Sequence, residues 1–403
     1  MRILTFSSLF PNSLAPNFAI FMLQRTSRVA QRSGNQVDVV APVPYAPKFL
    51  RGTSRGTLAA LPPVEEIAGL RVHHPRYPLL PGVSMPFHGI LMFAGCHSLV
   101  RRLHRQRAFD CIDANYVFPD GLAAVLLGRS LGIPVTLTAR GSDIHTFPQF
   151  ATIRPQIRWA LRHAQGVAAV SSTLAEIIRN LEPSIDQVKV MGNGVDSHRF
   201  FSEDRRLSRR RLGLDDSEKI VVSVAALKPV KGPDLLVRAA SLLRKSVPGC
   251  RVLFVGSGPE LPALQRLASK LECAEICNFV GPVNNEELRH YYSAADVSCL
   301  ASRNEGWPNV VLEALACGTP VVATRVGAVP DILSQPELGI VTEPSPESIH
   351  EDLRQALDRS WDPELIQSIA HRHTWDEVGA NVEAFLRSSI QPSFDNVGCA
   401  IAQ

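Results

Sequence analysis

The chain lacks a cysteine framework, an apolar run of membrane-spanning length and a generous supply of aromatic residues. Its eight cysteines (Cys96, Cys111, Cys250, Cys273, Cys277, Cys299, Cys317 and Cys399) are scattered, mostly within apolar runs, and make no zinc-type spacing or disulfide ladder. That excludes a zinc-stapled or disulfide-stapled module and suits a reduced, cytoplasmic protein. The one close pair, Cys273 and Cys277, has no His or Cys cluster beside it and reads as packed thiols. Stretches such as GILMFAGCHSLV and GLAAVLLGRSLGIPV are too short, or are broken by Arg129, to supply the about 18 apolar residues of a spanning helix. The opening MRILTFSSLFPNS has no small-residue cleavage pattern and reads as a first β-strand, not a secretory signal. The basic stretches carry no interleaved aromatics, so nucleic acid is not the expected partner.

What is present is a chain of 403 residues, 45% hydrophobic, long enough for two domains with separate cores. Its charge is uneven: residues 1–195 hold 20 Lys+Arg against 10 Asp+Glu, and the remainder 22 against 28. The basic half concentrates its charge in helical-looking stretches, FMLQRTSRVAQR with Arg25, Arg28 and Arg32, and RRLHRQR at 101–107. Such faces are either simply solvated or suited to an anionic membrane surface, where each cation contributes about 1 kcal/mol.

Short β-branched runs alternate with amphipathic helical patterns through the first half, and the same rhythm restarts near residue 215. This alternation predicts parallel β-α-β units with sheets covered on both faces, hence an α/β chain of two doubly wound, Rossmann-like domains. The polar stretch NGVDSHRFFSEDRRLSRRRLGLDDSEK marks the junction, placed near Asp196. The expected division is 1–195, 196–375, a C-terminal helix at 376–390 packing back toward the first domain, and a mobile tail at 391–403. The proline-rich region 42–89 shows little periodicity and reads as irregular loops. Ligands of open α/β sheets bind beyond the carboxyl ends of the strands, so a ligand is expected in a cleft across which the two domains face each other.

Several strand-to-helix loops carry fitting chemistry. VSVAALKPVKGPDLL offers Lys228 and Lys231 before a helix entrance at Gly232, Pro233 and Asp234, a combination that favours an anion, most simply a phosphate. LFVGSGPEL presents Gly256 and Gly258 at a second such turn, where glycine either admits a ligand or only permits a tight bend. EGWPNVVLEALACGTPVVAT, residues 305–324, reads as a turn, a nearly all-apolar helix opened by Pro308 and closed by Gly318, and a strand. A carboxylate inside such a helix costs several kcal/mol unless partners satisfy it, so Glu313 has a protein donor or waits for a ligand. Glu305 and Glu313, bracketing Gly306, Pro308, Asn309 and Val310 at a helix start, match a nucleotide sugar. Glu313 would accept from ribose hydroxyls and Glu305 from those of the transferred sugar.

At these residues the chain resembles the group 1 (family 4) retaining glycosyltransferases of the GT-B fold, whose two glutamates with seven residues between them precede a stretch like ACGTPVVAT. FDCIDANYVFPDGLAAVLLGRSLGIPVTLTARGSD, VMGNGVDSHRF, VKGPDLLVRA, VGSGPELPAL and TWDEVGANVEAFL extend the resemblance over most of the chain. It implies a donor nucleotide sugar in the second domain, an acceptor site in the first, retention at the anomeric carbon and no required metal or cofactor. Lys231 matches the lysine that contacts the donor diphosphate. The leaving diphosphate is usually proposed to deprotonate the acceptor.

The chain departs from the family where Ala225 and Ala226 replace a loop arginine, for which Lys228 would compensate. Arg140 stands in place of the histidine of a His-Gly-Ser-Asp motif, with Asp143 and His145 close by. The first loop has Asn12 and Asn17 where a glycine pair is common, and would shape the acceptor site. The implied activity is hexosyl transfer from a UDP- or GDP-sugar to a lipid-linked or cell-envelope polysaccharide acceptor, on the inner face of the membrane. An epimerase of nucleotide sugars and a non-catalytic carbohydrate-binding homologue remain the alternatives.

Overall fold

The computed structural model describes residues 1–45, 57–79 and 84–390, so the expected tail at 391–403 lies outside the described residues. Contacts divide the chain into two units, Asn193–Thr374 and the remainder, in which Met1–Gly192 is joined by the helix Trp375–Ile390. Each is built on its own mostly parallel sheet.

In the first unit the strands are β1 (Arg2–Phe6), β2 (Gln36–Val40), β3 (Val43–Pro44), β4 (Val64–Ile67), β5 (Leu70–His73), β6 (Arg76–Tyr77), β7 (Cys111–Asn115), β8 (Val135–Ala139), β9 (Gly166–Ala169) and β10 (Lys189–Val190). Eight of them form one sheet in the order β10-β9-β8-β7-β1-β2-β5-β4, and β3 pairs with β6 alone. β7 and β8 are buried along their whole length, as central strands must be when helices cover both faces.

The region expected to be irregular loops contains an antiparallel hairpin, β4 to β5, that extends this sheet. Ala68 and Gly69 turn it with φ of 50° and 77°, the two positive values that a tight two-residue hairpin turn requires. An alanine in that conformation is a weak signal, and the hairpin was hidden for that reason.

The arginines of the helix Ile20–Gln31 are also corrected. Arg25 is buried and paired through both terminal nitrogens with Asp113 of β7, while Arg28 pairs with Asp376 at 3.4 Å. Arg32, just past the helix, pairs with Glu383. This basic face is therefore internal cement between the helix, the sheet and the C-terminal helix, not a membrane-facing surface. Val29 packs with Ile3, Cys111, Val382 and Leu386 in the same layer.

The second unit has β11 (Lys219–Val224), β12 (Cys250–Val255), β13 (Cys277–Gly281), β14 (Val297–Leu300), β15 (Val321–Thr324) and β16 (Gly339–Thr342), all parallel, in the order β13-β12-β11-β14-β15-β16. This is the order of a doubly wound nucleotide-binding sheet, which reverses direction between β11 and β14. Successive side chains of a strand serve opposite faces: Ile220 and Val222 join one core layer and Val221 the other, as do Val321 and Ala323 against Val322. No helix among the described residues is long and apolar enough to cross a membrane.

Candidate functional site

The reversal between β11 and β14 places two loops side by side, Ala225–Lys231 and Ala301–Glu305. Their approach is set by glycine. Gly232 has φ +59°, and a Cβ there would stand 2.0 Å from the Ala301 carbonyl oxygen. Gly256 and Gly258, in the loop after β12, press on the first loop from its other side. A Cβ on either would lie 2.1 Å from the Ala225 oxygen or 2.2 Å from the Leu227 oxygen. These glycines answer first to backbone crowding.

Within this frame Lys231 Nζ donates to both Glu305 oxygens, at 2.7 and 2.9 Å, and Ser302 Oγ donates to Oε1 at 2.7 Å. The Glu305 side chain is almost buried, and Lys231 is about one-third exposed at 31%. Lysine and carboxylate, assigned from sequence to different parts of a ligand, are thus one ion pair. Arg303 locks the same loops: it grips Asp234 with two nitrogens (2.8 and 2.7 Å), and its backbone N–H donates to the Val230 carbonyl at 2.8 Å. That grip holds the Asp234 carboxyl below its ordinary range. Sequence reasoning passed over Ser302 and Arg303, although both lie within three residues of Glu305. Lys228 stands exposed at the start of the 3-10 turn Pro229–Lys231, with no carboxylate in ion-pair reach among the described residues.

The helix Asn309–Ala316 begins one residue after Pro308 and presents its first N–H groups beside Glu305 and Gly306. Asn309 Oδ1 accepts from Asn193 Nδ2 at 3.0 Å, and the Gly306 carbonyl accepts from the Ala328 N–H at 3.1 Å. Gly327, with φ +52°, lets its segment pass where a Cβ would be 2.3 Å from the Glu305 carbonyl oxygen. Val310 is half-buried against the core. Glu313, one turn further, accepts from the Tyr292 hydroxyl at 3.2 Å. Glu313 keeps partial solvent exposure, yet desolvation by its apolar surroundings pushes the carboxyl up to about 7, opposed by that hydrogen bond and by the Arg199 charge. One donor among the described residues is less than a carboxylate of four lone-pair sites can use, so Glu313 keeps accepting capacity.

The first unit has a comparable reversal between β1 and β7, and polar groups bridge it. Ser7 Oγ donates to the Asn115 carbonyl at 3.0 Å, and Ser8 donates to Asp120 through its N–H and, at 3.1 Å, its hydroxyl. Asp120 is buried, which pushes its carboxyl up to about 7. Sequence analysis had no reason to single out Asn115 or Asp120, because Ser7 and Ser8, which donate to the Asn115 carbonyl and the Asp120 carboxylate, lie more than a hundred residues away.

Arg140, after β8, donates to Asn115 Oδ1, lies 5.6 Å from the Phe21 ring, and has its pKa lowered to about 9 by burial. Asp143 accepts from the N–H groups of Val117 (2.7 Å), Gly141 (2.7 Å) and Arg140 (3.1 Å), so its carboxylate shapes this loop. His145 is half-buried, its Nε2 has no hydrogen-bond partner among the described residues, and burial pushes its pKa down. Arg140, Asp143 and His145 are therefore neighbours, while Asn12 spends Oδ1 on the N–H groups of Leu14 and Ala15, both at 3.0 Å, and Asn17 is exposed. No group of three or more His, Cys, Asp or Glu side chains able to hold a metal occurs among the described residues.

Both units match known families. Residues 204–375 match the family described as glycosyl transferases group 1, and residues 22–194 match the glycosyl transferase 4-like domain. The chain is 30% identical over 380 residues to TuaC of Bacillus subtilis, a glycosyltransferase assigned to teichuronic acid biosynthesis, covering 92% of each. It is 31% identical over 347 residues to the D-inositol 3-phosphate glycosyltransferase of Actinosynnema mirum, covering 77% of this chain and 76% of the relative. Among solved structures it is similar to Alr3699/HepE of Anabaena in complex with UDP, with a TM-score of 0.71, 20% identity and 96% and 100% of the two chains covered. Sucrose-phosphate synthase from Thermosynechococcus elongatus is similar at a TM-score of 0.73, 20% identity and coverage of 96% and 98%.

Proposed function

As the chain belongs to the group 1 glycosyltransferases, of GT-B fold, we propose that it is a retaining enzyme that moves a sugar from a UDP- or GDP-sugar to a lipid-linked or cell-envelope polysaccharide acceptor. The observation that carries the donor assignment is the Lys231–Glu305–Ser302 cluster at the strand-order reversal, beside a helix start. The donor diphosphate takes Lys231, Lys228 and the N–H groups at Asn309 and Val310. Glu313 accepts from the ribose hydroxyls and Glu305 from the sugar. The Lys231–Glu305 pair holds both side chains in place beside the helix start, a preorganisation that favours binding.

In the reaction the bond from the anomeric carbon to the phosphate oxygen breaks and its electron pair stays on the diphosphate. Lys231, with no metal ion called for, stabilises the charge that grows there. The acceptor hydroxyl then bonds to the same face of that carbon and its proton passes to the released phosphate oxygen. The first unit takes the acceptor, with Arg140 acting on the reacting sugar or its phosphate and His145, Asp143, Asn12 and Asn17 forming or supporting the acceptor side. The assignment of TuaC to teichuronic acid biosynthesis supports the acceptor reading, and similar structures solved with UDP and UDP-glucose support the donor reading. Such an acceptor places the enzyme at the cytoplasmic face of a membrane.

The test is thermal unfolding against UDP, GDP, ADP and their sugar conjugates, with Glu313→Gln as control. A ligand that binds only the folded state raises the midpoint, so one nucleotide should stand clear and lose its effect in the control. No shift with any of them would refute the donor site. Once a donor is known, the anomeric configuration of the product, read by NMR, checks retention.

A further inference from the structure

The helix His88–Gln106 buries Gly89, Met92, Cys96, Val100 and Leu103. Its outward stripe runs at the complementary three- and four-residue steps: Phe87, Ile90, Ala94, Ser98, Arg101 and Arg105, all exposed. The stripe is graded. Phe87 and Ile90 at its start are 58% and 50% exposed, and the cations gather at its end. A 19-residue helix separates the two by about 27 Å.

The exposed aromatic is held in place: the preceding carbonyl, Pro86, accepts from Gln156 Nε2 at 2.8 Å, and the Phe87 N–H donates to Ser84 at 2.9 Å. At the basic end a depression of about 410 Å³ is lined by His97, Ser98, Arg101, Arg102, Arg105 and Gln106. No ion pair occupies these arginines among the described residues, whereas Arg25 and Arg28 of the helix Ile20–Gln31, and Arg32 just past it, are all engaged.

We infer that this stripe is the surface by which the enzyme docks on an anionic lipid bilayer, Phe87 and Ile90 entering the acyl boundary and the arginine depression seating a lipid phosphate. The inference rests on the membrane-side reading above and specifies the face that meets the bilayer. A bilayer fits both ends of the stripe, since the apolar end needs hydrocarbon and the basic end needs closely spaced phosphates. A soluble polyanion would satisfy only the second.

The test is sedimentation of the full chain with vesicles of phosphatidylcholine, alone or mixed with phosphatidylglycerol, at low and high salt. Wild type is expected to pellet only with the mixed vesicles, and less at high salt. Arg101→Gln with Arg102→Gln and Arg105→Gln should weaken partitioning about five-fold per arginine, about 100-fold together. Phe87→Ser with Ile90→Ser should weaken it about ten-fold or more. A second basic helix, Arg205–Leu212, exposes Leu207 and supplies the control, Arg210→Gln with Arg211→Gln, which should adsorb like wild type.

Failure of wild type to adsorb, loss of adsorption in that control alone, or indifference to Phe87→Ser with Ile90→Ser would each overturn the inference. The last would point to a charge-only surface for a polyanion such as nucleic acid. Nucleotide-induced thermal shifts on the same samples keep the two readings apart, since they depend on Lys231 and Glu313. Intact shifts without adsorption refute the docking surface alone, and adsorption without shifts refutes the donor site alone.

Discussion

Replacing Glu313 by glutamine removes a carboxyl whose pKa is raised from 4.5 to about 7, mainly by burial. Below about pH 4.5 the group is protonated in both folded and unfolded chains and costs nothing. Between that and pH 7 the unfolded chain ionises first, so folding must hold or retake a proton, and above pH 7 the full penalty is present. At about 1.4 kcal/mol per pKa unit the penalty is at most about 3 kcal/mol, reduced by the partial exposure of the carboxyl to water. Glutamine keeps an acceptor for the Tyr292 hydroxyl and has no charge to bury. The ligand-free variant should therefore be more stable than wild type at pH 8, by about 5–10 °C in Tm for a unit of this size, and indistinguishable from it near pH 4. Affinity for the donor should fall about 10- to 100-fold, the worth of hydrogen bonds to a charged acceptor. Calorimetry of both proteins from pH 4 to 8, with and without nucleotide, measures this. A variant less stable than wild type at pH 8, or a stability difference independent of pH, would refute the reasoning.

Lys231→Met leaves the Glu305 carboxylate, among the described residues, with the Ser302 hydroxyl alone. It should cost about 1–3 kcal/mol of stability, discounted for the partial exposure of the lysine, and lower transfer about 100-fold or more. Adding Glu305→Gln should return the stability without the activity, as melting curves and product formation will show. Asp143→Ala strands three N–H groups and should cost about 3 kcal/mol or more, while the nucleotide-induced shift persists, because that site belongs to the second unit. His73 is buried with neither ring nitrogen bonded among the described residues, and its pKa is lowered, first by burial and then by Arg71, Arg102 and His74 against the pull of Asp38. Its neutral form is the folded one, so stability is complete above about pH 6.5 and declines as the pH falls below it. His73→Leu should flatten that decline in melts taken from pH 7 to 5.

Two parallel, doubly wound sheets were legible because buried strands and covering helices each impose a period on the chain. The helix at Asn309 was legible because Pro308 and Gly318 mark its ends. Ion pairing was not. Lys231 meets Glu305 across 74 residues and Arg25 meets Asp113 across 88, and no local pattern encodes which of several arginines a strand carboxylate will take. The same limit hid Asp120, whose partner Ser8 lies 112 residues back. Gly256 and Gly258 were ambiguous for another reason. A turn and a ligand both ask for glycine, and only the Ala225 and Leu227 carbonyls show that packing already requires it.

The helix Trp375–Ile390 belongs to the first unit, although the whole of Asn193–Thr374 intervenes. During synthesis the second unit is therefore complete before the first, which waits for Val382 and Leu386 to cover Ile3, Val29 and Met191. Until then its apolar layer and the Arg32 guanidinium lack their final partners. A chain cut after Thr374 would carry a complete second unit behind an unfinished first one, and it is the unfinished one that chaperones and proteases would meet.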